Sequence, residues 1–189
     1  MAELSQEDKR DLLALVRQTI RQRLAGGKRA GAEPPAGRPQ LQEKRGVFVT
    51  LHRGDELRGC IGYPLPMKPL WEAVREMAAA AAFEDPRFPA VARGELEEID
   101  IEISVLTVPR EVAGAAQVRL GSDGIIVSRG PYRGLLLPQV PVEQGWDLEQ
   151  YISYGCRKAG LPPDEWKRGV RIETFQAVVF GEKRHAEAT

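Results

Sequence analysis

Apolar residues recur at helical spacing near the start of the chain. Ser5 and Asp8, three residues apart, precede this segment and resemble a capping box. Gly26 and Gly27 end the pattern. The positions that share one helical stripe are Leu12, Leu13, Val16, Ile20 and Leu24. The spacing therefore predicts an amphipathic helix packed on the body of the protein.

Two further segments have helical periodicity. Pro69 stands where the first turn of a helix tolerates proline. The stripe that follows it comprises Leu70, Val74, Met77, Ala78 and Ala81, and the alanine run within it presents a narrow surface to a sheet. In the later segment, Asp147 is predicted as an N-cap and Gly160 as a stop. The apolar positions between them are Leu148, Tyr151, Ile152 and Cys156.

Elsewhere apolar and polar residues alternate, which predicts strands. A hairpin is predicted over 46–62, with its turn at 54–56 and a stop at 63–66. A strand over 99–108 directs its isoleucines to the core and Asp100, Glu102 and Ser104 to the opposite face. The remaining strands are predicted at 125–127, 135–137 and 170–180.

The alternation also selects a register for the hairpin. One core face carries Val47, Val49 and Leu51, and the facing strand contributes Leu57, Gly59 and Ile61. This register places Thr50 opposite Cys60 and His52 opposite Arg58, so these four share a polar face. His52 and Cys60 are then diagonal neighbours, about 7–8 Å apart at the backbone.

Short turns join several strand pairs directly, which favours an α+β fold: a mixed, largely antiparallel sheet with helices packed on it. Residues 1–183 are interpreted as one domain, with a Gly/Pro-rich connection at 26–40. The last residues, 184–189, are interpreted as a disordered tail.

Composition narrows the classes of function. The 189 residues include 27 Lys+Arg and 27 Asp+Glu, and zero net charge argues against broad nucleic-acid binding. Two cysteines are too few for a disulfide framework, and their spacing matches no zinc motif, so they predict no metal site. No cofactor is predicted. The polar N-terminus and the absence of a long apolar run predict a cytoplasmic protein without a membrane segment.

The stretch Leu57-Arg58-Gly59-Cys60-Ile61-Gly62 resembles the six-residue signature of the AMMECR domain family. Three further blocks resemble the family in the same order, at 84–89, 98–106 and 134–147. Prokaryotic members are called AmmeMemoRadiSam system protein A. Their biochemical activity is not established. The system name implies two companions: a Memo-like protein, similar in fold to extradiol dioxygenases, and a radical S-adenosylmethionine enzyme.

Two functions follow as hypotheses. In the first, the protein is a binding or accessory component acting with those two partners. In the second, it is an enzyme with Cys60 as nucleophile, aided by Arg58 and the turn at 84–87, because a nearby cation favours the thiolate. His52 is the histidine available as a base, since His185 falls in the predicted tail. The alternative for Cys60 is a small residue needed for packing between glycines.

The remaining candidates are residues for binding a ligand. Arg58 and Arg87 suit a carboxylate or phosphate, and their alternative role is a structural ion pair with Asp85, Asp100 or Glu102. Asp100 and Glu102 suit acid–base or metal chemistry, or belong to the solvated side of a sheet. The predicted ligand-binding set is His52, Glu84, Asp85, Arg87, Gln139 and Trp146.

Overall fold

The computed structural model describes residues 4–27 and 33–182. The predicted tail and residues 28–32 of the predicted connection lie outside the described residues. The described chain divides into two compact units. The first unit runs up to Leu106 and resumes at Val178, and the second unit is Thr107–Ala177.

The helices and strands have the following bounds in chain order. They are α1 (Gln6–Leu24), β1 (Lys44–Arg53), β2 (Glu56–Pro69), α2 (Leu70–Phe83), β3 (Ile99–Leu106), β4 (Arg110–Val112), β5 (Gly124–Arg129), β6 (Tyr132–Leu136), α3 (Val140–Gln144), α4 (Leu148–Lys158), β7 (Arg171–Phe175) and β8 (Ala177–Gly181). Two four-stranded sheets have the orders β2-β1-β3-β8 and β4-β7-β5-β6. The strands β1–β2, β1–β3, β4–β7, β5–β6 and β5–β7 pair antiparallel.

In the first unit, α1 and α2 share one hydrophobic core with the sheet. The predicted capping box of α1 is present, because the Asp8 N–H donates to Ser5 Oγ at 3.1 Å and the Ser5 N–H donates to Asp8 Oδ2 at 2.8 Å. On β3 the alternation is as predicted, with buried isoleucines on one side and partly exposed polar residues on the other. The whole predicted stripe of α2 is buried, and the alanine run lies in the core.

In the second unit, α4 packs on β5 and β6. Asp147 caps α4 as predicted, since its carboxylate accepts the Gln150 N–H at 2.8 Å. Tyr151 of α4 is fully buried, and its hydroxyl lies 3.1–3.2 Å from the carbonyl oxygens of Asp123, Leu136 and Leu137. Gly134 on β6 permits this packing, because a Cβ there would come within 2.4 Å of the Ala159 nitrogen.

Two predicted strand boundaries are wrong. The stop predicted at 63–66 is an irregularity inside β2, because pairing with β1 resumes at Lys68 and Pro69. The strand predicted over 170–180 is two strands, β7 and β8, which belong to different sheets. The chain passes between the two units at this point.

The predicted α+β class, with largely antiparallel strands and packed helices, is confirmed. Among the described residues no helix is both long enough and apolar enough to cross a bilayer.

Candidate functional site

The signature hexapeptide lies on β2, an edge strand of the first sheet. Thr50 on β1 is opposite Cys60, as predicted from the alternation. On the other side of β1, Thr50 is opposite Glu102 and His52 is opposite Asp100. Since side chains alternate between the faces of a strand, these residues share the polar face of the sheet.

The predicted pairing of His52 with Arg58 is wrong. His52 pairs with Leu57, and the register shifts between Leu51 and His52. The cause is the turn, which has two residues rather than three: Arg53 pairs with Glu56, and Gly54 has φ +61°. Core packing still pairs Leu51 with Gly59, so β2 absorbs its extra residue as a bulge. The bulge also leaves Leu57 40% exposed rather than in the core.

The two glycines beside Cys60 are required by close backbone approaches. A Cβ on Gly59 would lie 2.2 Å from the carbonyl oxygen of Ala81 in α2. A Cβ on Gly62 would lie 2.3 Å from the carbonyl oxygen of Val47 in β1. α2 and β1 leave no room for a side chain at Gly59 or Gly62. This explains why the signature has a glycine on each side of Cys60.

Asp85 is the centre of the polar contacts around the signature. It follows α2 and is buried, with 4% of its surface exposed. Its carboxylate accepts the Cys60 N–H at 2.9 Å and the Arg87 N–H at 3.1 Å. It also accepts the Arg87 side chain, from Nε at 3.0 Å and from Nη2 at 2.8 Å. The Arg87 side chain and the two backbone N–H groups hold the pKa of the Asp85 carboxyl well below its usual range, against the opposing effect of burial.

Arg87 connects Asp85 to the backbone of the signature. Its Nη2 also donates to the Cys60 carbonyl oxygen at 3.1 Å, and its guanidinium lies 5.4 Å from the centre of the Phe88 ring. The bonds to Asp85 raise the pKa of Arg87, and the proximity of Cys60 adds to this rise. The predicted structural pair of Arg87 with Asp85 is therefore present, and Arg87 is a cation beside the thiol.

Cys60 is partly exposed and forms no disulfide. Its Sγ accepts a hydrogen bond from the Thr50 hydroxyl at 3.3 Å. Cys156 belongs to α4 in the second unit, where it is fully buried, and burial raises the pKa of its thiol.

Arg58 forms a structural pair, but its partner is none of the three predicted carboxylates. Its Nε and Nη2 each donate to the Glu95 carboxylate at 3.1 Å. This bidentate pair lowers the pKa of Glu95, and the Ala92 N–H, which also donates to Glu95, lowers it further. The third guanidinium nitrogen, Nη1, is buried without a hydrogen-bond partner among the described residues. Sequence reasoning missed Glu95, because its pairing with Arg58 joins residues 37 positions apart.

His52 and Glu84 lie apart from the Asp85 contacts. His52 lines a cavity of about 270 Å³ together with Asp100, Glu102 and Glu182. The described residues contain no group of three or more His, Cys, Asp or Glu side chains arranged to hold a metal ion. Glu84 is exposed, and its carboxylate lies 3.7 Å from Arg23 of α1.

Gln139 and Trp146 belong to the second unit. Gln139 is exposed at the start of α3, and its side chain makes no capping bond there. The Trp146 ring stacks on Tyr154 of α4, with ring centres 4.0 Å apart. Of the other two aromatic residues singled out in the sequence, Trp71 is buried and Tyr132 is exposed. Sequence reasoning missed Tyr154, because a tyrosine on the exposed side of a helix carries no local signal.

Comparisons with known proteins identify the same family as the signature does. The AMMECR1 family model matches residues 13–180. A protein of Methanopyrus kandleri is 49% identical over 190 residues, covering 95% of this chain and 91% of its own length. A protein of Methanothermobacter thermautotrophicus is 48% identical, with coverage of 96% and 97%. The crystal structure of the uncharacterized protein PH0010 from Pyrococcus horikoshii is similar at a TM-score of 0.74 and 45% identity, covering 91% of this chain and 90% of that one. The chain therefore belongs to the AMMECR1 family.

Proposed function

We propose that the protein is a non-catalytic binding component, which acts with a Memo-like protein and a radical S-adenosylmethionine enzyme. One observation carries the proposal: the Asp85 carboxylate accepts four N–H groups from Cys60 and Arg87. These bonds use the polar groups of the signature to fix the end of α2 to β2. Because the same bonds lower the pKa of the Asp85 carboxyl, Asp85 is poorly suited to accept a proton.

A nucleophilic thiol normally needs a general base within hydrogen-bond reach. Cys60 Sγ is hydrogen-bonded to the Thr50 hydroxyl, which is not a base near neutral pH. His52 is opposite Leu57 and Asp100 instead. The Arg58 guanidinium, the predicted aid to the thiol, is bonded to Glu95. These contacts support a structural role for the signature.

The exposed surface of β2 supports a docking role. Leu57 is 40% exposed and Met67 is 60% exposed on this edge strand. An accessible edge strand offers unpaired backbone groups to another chain, and exposed apolar side chains on it would add contact area. The proposal takes residues 1–183 as one functional domain, because the family match extends over parts of both units.

The test is reconstitution with the two companions from the same organism. The purified chain is mixed with the Memo-like protein, with the radical S-adenosylmethionine enzyme, and with both, and complexes are detected by size-exclusion chromatography with light scattering. We expect a complex with at least one companion, retained by Cys60→Ser and weakened by Leu57→Asp. Val142→Asp, at an exposed residue of the second unit, is the matched control. No complex in any mixture would contradict the proposal.

The second candidate is an enzyme with Cys60 as nucleophile. One contact favours it: the Arg87 guanidinium lies beside the partly exposed Cys60 and bonds its carbonyl oxygen at 3.1 Å. A cation in this position favours a thiolate. The reactivity of the thiol separates the two candidates, because a nucleophile is activated and a structural thiol is not.

A further inference from the structure

A surface cavity of about 400 Å³ runs along α4 in the second unit. Its lining includes Gln150, Ser153, Tyr154 and Arg157. The spacing of these residues places them on one side of the helix. The volume is within the range of sites for small molecules. None of the residues that line this cavity belongs to the signature or to β2.

The guanidinium of Arg157 lies over an aromatic ring. It lies 5.1 Å from the centre of the Tyr154 ring, and Trp146 stacks on the same tyrosine at 4.0 Å. Within the described residues no carboxylate is close enough to Arg157 to form an ion pair. Arg157 is therefore a cation with an aromatic contact on one side, and its N–H groups have no polar partner among the described residues.

Two neighbours of Arg157 have hydrogen-bond donors without a partner among the described residues. Ser153 Oγ accepts the Trp166 indole N–H at 3.2 Å, which leaves the hydroxyl hydrogen free to donate. Gln150 Oε1 accepts the Asp147 backbone N–H at 3.0 Å, and the NH₂ group of the same amide has no hydrogen-bond partner among the described residues. The acceptor atoms are thus used within the protein, and the donors are left for a ligand.

The acidic residues of the cavity are already engaged. The Glu149 carboxylate forms an ion pair with Lys167 at 2.6 Å. The Asp147 carboxylate accepts the Gln150 backbone N–H at 2.8 Å and caps the positive end of α4. Three ionised residues line the cavity: Asp147, Glu149 and Arg157. Among the described residues, Arg157 is the one of these three that has no polar partner.

We propose that this cavity binds the carboxylate group of a small organic anion. The guanidinium fork of Arg157 matches the planar geometry of a carboxylate. The Ser153 hydroxyl and the Gln150 amide supply further donors along the same side of α4. The ligand's body occupies the rest of the cavity.

The test is an NMR titration with sodium benzoate, against sodium chloride at equal ionic strength. We expect saturable shifts of the Arg157 Nε–H and the Gln150 side-chain NH₂ signals, with a dissociation constant in the millimolar range or below. Loss of a charged hydrogen-bond donor in Arg157→Gln should weaken binding by about tenfold or more. Arg157→Lys should bind more weakly than the native chain because it lacks the fork.

The control variant is Arg168→Gln, which removes an exposed arginine already paired with Asp164. It should bind benzoate as the native chain does. Three results would overturn the proposal: no saturable shift at these groups, equal affinity in Arg157→Gln and the native chain, or tighter binding of inorganic phosphate than of benzoate.

Discussion

At the scale of single residues, Asp85 explains more of the signature than Cys60 does. Its carboxylate joins the backbone of Cys60 to the side chain and backbone of Arg87. The sequence indicates the chemistry of this segment, because two carboxylates, a guanidinium and two prolines fall within residues 84–89. It did not indicate that Asp85 would bond a backbone N–H on β2, since that contact joins residues 25 positions apart.

Replacing Asp85 with Asn should destabilise the protein near neutral pH. Hydrogen bonds to a charged group contribute about 1.5–3 kcal/mol, and we expect a loss of this size in the free energy of unfolding. Urea denaturation measures it. The control is Asp164→Asn, which breaks an exposed pair with Arg168 and should have almost no effect.

The contribution of Asp85 to the free energy of unfolding should also depend on pH. The folded pKa of Asp85 lies below the unfolded value of about 3.9, so its contribution is present in full above that value and is lost as pH falls through the folded pKa. The stability difference between the native chain and Asp85→Asn should be constant above about pH 5 and shrink below about pH 4. A difference that grows on acidification would contradict the assignment of Asp85.

At the scale of elements, the hairpin was predictable except for its turn. Alternation correctly paired Thr50 with Cys60, because core packing fixes that register. The turn at Gly54 spans two residues, and the chain corrects the mismatch with a bulge before Gly59. Local residues do not distinguish a two-residue turn from a three-residue turn, so alternation alone places Arg58 opposite the wrong neighbour.

The close contact between Gly59 and α2 gives a direct test of this packing. Gly59→Ala should lower the free energy of unfolding by at least about 1–3 kcal/mol, because the new Cβ meets the backbone oxygen of Ala81. Thermal and urea denaturation measure the loss. Gly94→Ala is the matched control, since a Cβ there meets no atom within 4 Å. Equal stability of the two variants would show that β2 and α2 separate without cost.

At the scale of the whole molecule, the family and the α+β class followed from the sequence, whereas the division into two sheets did not. The signature and the periodicities are local, so they can be recognised along the chain. The split of the last strand at Gln176 is a long-range effect: its N–H donates to Thr107 Oγ1 at 2.9 Å, and its carbonyl oxygen accepts the Thr107 N–H at 2.8 Å. Nothing in the run 170–180 marks this position.

The measurement that tests the central claim most directly is the rate of alkylation of Cys60 by iodoacetamide in the native protein at neutral pH. Labelled peptides identified by mass spectrometry distinguish Cys60 from the buried Cys156, which should react only after unfolding. If the signature is structural, Cys60 reacts no faster than a free cysteine, and Arg87→Gln changes this rate little. Alkylation of Cys60 at about ten times the free rate or more, lost in Arg87→Gln, would contradict the account and establish an activated thiol.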